Sequence, residues 1–106
     1  MTISDRYRQI AELTAAEADR LRESLADDHG KALRTFVQGV EQLQELLEQV
    51  GEIPQIQLEH KLSPVLLKAH GYFDRSRVLL NEQGLEREGA AIWELEQLIY
   101  RLLNDL

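Results

Sequence analysis

Cysteine is absent from the sequence, which rules out disulfides and thiolate metal sites and suits a reducing, cytoplasmic setting. No apolar run approaches the roughly eighteen residues that a membrane-spanning helix needs. The opening residues MTISDRYRQIAEL carry acids and arginines where a signal peptide would have an uninterrupted apolar core, so a soluble, non-secreted protein is expected. Basic residues are in the minority, 12 Lys and Arg against 19 Asp and Glu, for a net charge of −7. That balance argues against general affinity for nucleic acid or for an anionic membrane surface. Strand-like alternation never lasts beyond a few residues, and no internal repeat occurs. Proline appears only at Pro54 and Pro64, and both are read as helix boundaries.

Helical periodicity fills the space these absences leave. The 106 residues suit one domain, residues 1–106, and 43% hydrophobic content is ordinary for a globular protein. The densest pattern lies in LEREGAAIWELEQLIYRLLNDL, where Ile92, Leu95, Ile99, Leu102 and Leu106 recur every three or four residues. Trp93, Tyr100 and Leu103 add apolar surface on a second side. A helix this apolar should be the central element of a bundle.

Three more helices precede it. Ile3, Tyr7, Ile10, Thr14, Ala18, Leu21 and Leu25 form a narrow face on a helix expected near 4–26, packing from outside. Asp27-Asp28-His29-Gly30 reads as a turn, because the stripe that follows is out of step by about one residue, or roughly 100°. Helix 2, near 31–50, carries Leu33, Phe36, Val40, Leu43, Leu47 and Val50. Gly39 inside it suggests close helix contact, and Gly51 is placed as a left-handed C-cap. The segment from Gly51 to Leu62 is expected to pack down through Ile53, Ile56 and Leu58 and to cross one end of the bundle.

Helix 3 is expected over 64–83, with Ser63 at its N-cap, Pro64 in its first position, and Leu62 and Leu67 as a hydrophobic staple. Gly84 should close it in a Schellman motif, with Leu80 and Leu85 as the contact pair. Helix 4 follows over 86–104. The fold expected is therefore all-α, an up-and-down bundle of four antiparallel helices, or three if the first turn were helical.

Candidate chemistry is sparse. His70 and Asp74 lie one turn apart, a spacing that lets both face one metal or lets the carboxylate orient the imidazole. Neither His-Glu-x-x-His nor Glu-x-x-His occurs, and no metal or other cofactor is expected. The separation of Arg22 from His29 is formally similar to the Arg–His motif of HEPN ribonucleases. That motif belongs on an inner helix, whereas His29 falls in the turn and helix 1 looks peripheral. The stretch LLNEQGLEREGAAIWELE is loosely similar to the turn of tetratricopeptide-type repeats, but occurs once and lacks their aromatic and proline positions. Neither family is carried over. With no nucleophile elbow and no Gly-rich phosphate loop, the protein is expected not to be an enzyme.

Two surface features remain. Glu41, Glu45, Glu48 and Glu52 follow at spacings of four, three and four, and no Lys or Arg occurs between Thr35 and His60. They form either a docking ridge for a basic partner or a solvated face balanced by Lys68, Arg75 and Arg77. Trp93 and Tyr100, seven apart, are either core contacts or interface anchors. The function expected is a small acidic protein–protein interaction module (adaptor, chaperone-like factor or inhibitor) that forms a homodimer. Glu41, Glu45, Glu48, Glu52, Trp93 and Tyr100 would bind the partner, with no nucleic acid and no membrane involved. A small helical enzyme or metal-binding protein using His70 and Asp74 is the alternative, and an acidic nucleic-acid mimic a more distant one.

Overall fold

The computed structural model describes residues 1–106 and has no strands. Four α-helices follow one another: α1 over Ile3–Ser24, α2 over Gly30–Leu47, α3 over Leu58–Glu82 and α4 over Glu86–Asn104. Short 3-10 turns over Asp27–His29, Val50–Glu52 and Gln55–Gln57 lie in the first two connections. Each helix packs against the next and α1 returns to α4, closing an up-and-down ring with extents of 44 × 22 × 20 Å.

The helix ends follow from local chemistry. Thr2 accepts from the Asp5 N–H at 3.0 Å while the Asp5 carboxylate accepts from the Thr2 N–H at 3.2 Å. This reciprocal capping box starts α1 a residue earlier than expected. Leu25 and Ala26 then adopt extended backbone, so the first connection is a true turn and the bundle has four helices. At the third turn Gly84 has φ +81°, the only positive φ in the chain. The Leu85 N–H donates to the Leu80 carbonyl at 2.9 Å and the Gly84 N–H to that of Asn81 at 3.1 Å. That is the expected Schellman pattern, and Leu85 packs on the core cluster that contains Leu80.

Two expected caps are corrected. Gly51 lies in a 3-10 turn rather than at a left-handed C-cap. Ser63 does not cap α3, and Leu62 with Leu67 is no staple, because the helix runs unbroken through Pro64. An internal proline costs about 3 kcal/mol. Burying Leu58 and Leu62 in the extra turns contributes roughly 1.5–3 kcal/mol each, which offsets it. Pro64 itself is exposed, so water can reach the helical carbonyl it leaves unpaired. The early start also shortens the second connection, which turns α3 back against α2 rather than crossing the bundle. Ile56, expected to pack down, is 91% exposed there.

The hub is α3, not α4. It makes the most extensive packing, against α2 on one side and α4 on the other. Leu58, Leu62, Leu66, Ala69, Phe73, Ser76 and Leu80 are all buried along it. Phe73 sets its approach to α2: the ring lies 4.6 Å from that of Phe36, centroid to centroid, and rests on Gly39. A methyl group built on Gly39 would fall 2.5 Å from Phe73 Cε1. Hydroxyls fix the register. Tyr7 Oη donates to the Leu43 carbonyl at 2.6 Å, and Ser76 Oγ to that of Ala32 at 2.7 Å. Burial raises the pKa of Tyr7, which keeps the phenol a donor.

Three glycine substitutions separate these effects. Gly39→Ala should destabilise by about 1 kcal/mol, because overpacking against Phe73 (~1–3 kcal/mol) exceeds the ~1 kcal/mol of added helix propensity. Gly84→Ala should cost about 1 kcal/mol through its left-handed backbone alone. Gly71→Ala, in open space within α3, should stabilise by a few tenths to about 1 kcal/mol. Urea denaturation checks all three; equal midpoints for the Gly39 and Gly71 variants would refute the close-contact account.

Candidate functional site

Glu41 and Glu45 lie on α2, Glu48 caps its C-terminus and Glu52 ends the following 3-10 turn. All four are exposed, and none is within ion-pair distance of a Lys or Arg. The expected internal balance does not form. Arg77 is turned to Asp74 and Glu96, Arg75 stands 4.7 Å over the Tyr72 ring, and Lys68 makes no ion pair. The four carboxylates therefore face solvent without a direct ion pair, although Glu41 shares a surface notch with Arg22, Lys31 and Arg34, and the Arg8 guanidinium lies over Gly51 beside Glu52.

On α4, Trp93 is 51% exposed and Tyr100 56%, while Tyr7, Phe36 and Phe73 are fully buried. Leu46 and Leu103 are half-buried against the core. The aromatic face and the acidic ridge do not adjoin. Because α1 and α3 separate α2 from α4, the two surfaces occupy opposite corners of the bundle.

Between the two aromatics lies Glu96, a residue the sequence reading passed over. It is 2% exposed, and it draws together three side chains spaced by four and three residues on α3. Its Oε1 lies 3.5 Å from His70 Nε2, and its Oε2 3.2 Å from Arg77 Nε. Arg77 aims its donors elsewhere, Nη2 at 2.7 Å and Nε at 3.2 Å from Asp74 Oδ1, and Glu96 Oε2 has no hydrogen-bond partner. Desolvation, reinforced by the adjoining Asp74 carboxyl, pushes the Glu96 pKa up to about 8. Asp74 moves the other way, held below the usual carboxylate range first by its bond from Arg77. At neutral pH the proton therefore resides on Glu96. One signal could have found it: Glu96 stands four residues after Ile92 and three before Ile99, a charged residue within the apolar stripe.

His70 and Asp74 thus converge with a third polar group, but Glu96 is sealed from solvent beneath them. No group of three or more His, Cys, Asp or Glu side chains is disposed to hold a metal ion. Arg22 pairs with Asp19 at 2.8 Å, whereas His29, in the first turn, bonds to Gln83, so these two do not form one site. No helix is long and apolar enough to cross a membrane. Comparison with family models, curated proteins and solved structures found no match.

The buried carboxyl has a measurable consequence. With a folded pKa near 8 against 4.5 for the ordinary group, the folded state holds the extra proton between those values. Stability should therefore fall as pH rises from about 5 to 8, by at most about 1.4 kcal/mol per pH unit from this group. Glu96→Gln, which keeps a neutral donor toward Asp74, should flatten that slope and stabilise the protein at pH 8. Urea midpoints measured at several pH values check this; parallel curves for the two proteins would place the proton elsewhere.

Proposed function

We propose that the protein is a small acidic protein–protein interaction module of adaptor, chaperone-like or inhibitor type, working in the cytoplasm without catalysis. The observation that carries this reading is the pair Trp93 and Tyr100, held half-exposed on one face of α4 while Tyr7, Phe36 and Phe73 are fully buried. Two rings on one helix face supply rigid apolar area at low conformational cost, as binding hot spots do. The ridge of Glu41, Glu45, Glu48 and Glu52, exposed and without a direct ion pair, is a second docking surface, suited to a basic protein partner. Its position on the far corner allows both surfaces to be occupied at once.

Self-association through α4 is the first assembly expected, and net charge opposes it. Two chains of −7 repel, and salt screens that repulsion over a Debye length of about 8–10 Å. Sedimentation equilibrium at low and high salt is the test. A dimer should form and tighten as salt increases. Trp93→Ala or Tyr100→Ala should weaken it while shifting chain stability by less than about 1 kcal/mol, since neither ring is in the core. A mass of 12.2 kDa at every concentration and salt would remove α4 as a self-association face. The rival reading, catalysis or metal binding at His70 and Asp74, lacks an open cleft onto Glu96 and is not favoured.

A further inference from the structure

Four exposed charges on α4 belong to no ion pair within the chain; Glu86 and Arg87 lie in its first turn, and the other two, Glu94 and Arg101, flank its middle. They are seven residues apart, as are Trp93 and Tyr100. Seven residues complete two helical turns to within about 20° and rise about 10 Å. The aromatics therefore form one line along the solvent face of α4 and the charges a second, about 100° around the helix. Gln97 lies between the two lines and midway along them. A shallow notch lined by Trp93, Glu94, Gln97, Leu98 and Arg101 marks the place.

This pattern is complementary to itself, but only when reversed. A two-fold axis beside Gln97, at right angles to α4, brings a second α4 alongside in the antiparallel sense. The operation keeps each line on its own side of the seam while exchanging its ends. Trp93 then meets Tyr100 of the partner subunit on one side, and Glu94 meets Arg101 of the partner subunit on the other, each contact occurring twice. A parallel two-fold arrangement would instead set the aromatic line of one helix against the charged line of the other, leaving Glu94 and Arg101 without opposite charges. A uniformly basic partner would meet Arg101, and a uniformly acidic one Glu94. The charge order thus selects a second copy of this chain.

We propose that the protein forms an isologous, antiparallel α4–α4 dimer about Gln97, in which Trp93–Tyr100 and Glu94–Arg101 contacts are each made twice. This rests on the reading of α4 as the docking face, and adds to it both the partner and the register. The excess negative charge does not oppose the seam locally, because the ridge of Glu41, Glu45, Glu48 and Glu52 lies on the opposite corner of each bundle. The dimer consequently presents two acidic ridges outward and is bivalent toward a basic partner.

A charge-swap experiment tests the register. Glu94→Arg and Arg101→Glu are changes at exposed positions, and circular dichroism would verify that each variant keeps its helices. Each alone places two like-charge contacts in the seam and should weaken the dimer at least about tenfold. Mixed in equal amounts, the two variants should recover a species of twice the 12.2 kDa chain mass, since every charged contact in the mixed pair is then opposite in sign. Charge-reversed variants that dimerise like the parent, or a mixture that stays monomeric, would overturn the register. If Trp93→Ala and Tyr100→Ala still weaken association in that case, α4 remains the docking face with another geometry. A parent protein sedimenting at the single-chain mass throughout overturns both.

Discussion

Phe73 lies against Gly39, and the packing of α3 depends on that contact. Without a side chain at Gly39, the ring settles on the α2 backbone and stacks beside Phe36 at 4.6 Å. Helix α3 is thereby drawn close to α2 and keeps its other side for α4. Any larger residue at position 39 would displace the ring that holds α3 against α2. The continuity of α3 through Pro64 belongs to the same constraint. Leu58 and Leu62 extend the stripe that Leu66, Ala69 and Phe73 begin, and burying them outweighs the proline.

Polar groups then fix what apolar contact leaves free. A hydrophobic stripe tolerates sliding, whereas a buried donor tolerates none, because a misplaced hydroxyl costs about 1–3 kcal/mol in lost hydrogen bonding. Tyr7 and Ser76 each select one carbonyl on α2, pinning α1 and α3 to it from opposite ends. Glu96 does the corresponding work between α3 and α4 by another route. Its proton, retained by burial and by Asp74, lets two carboxyl groups share a seam where two negative charges would repel.

The same arrangement sets where the protein can meet others. Placing Glu96 inward fixes the rotation of α4, and that rotation turns Trp93 and Tyr100, one turn either side, toward solvent. A ring of four helices puts α2 and α4 on a diagonal, so the acidic ridge and the aromatic face point away from each other. Charge and apolar area are kept on separate corners of one small bundle. On the proposed reading, a partner on one face would leave the other uncovered.

Much of the building plan was legible in the order of residues. The stripes of all four helices, the turn at Asp27–His29, the Schellman closure at Gly84 and the span of α4 are local matters, governed by a fixed helical period and by neighbours a few residues away. Ser63-Pro64 is as good a local start signal as any in the chain, yet it fails, because burial of Leu58 and Leu62 is a tertiary gain that no cap can register. The six candidate partner-binding residues could be named from spacing, but not their separation onto opposite corners. Nor could spacing show that Lys68, Arg75 and Arg77 would make no ion pair with the ridge. The sequence by itself determined where the four helices lie, apart from the opening turns of α3, and which side of each helix is apolar. Only the tertiary structure decided that α3 is the hub, that Glu96 is buried with its proton, and that Trp93 and Tyr100 stay outside. Those outcomes depend on which helices come together and at what rotation, a competition among long-range contacts that no local spacing encodes.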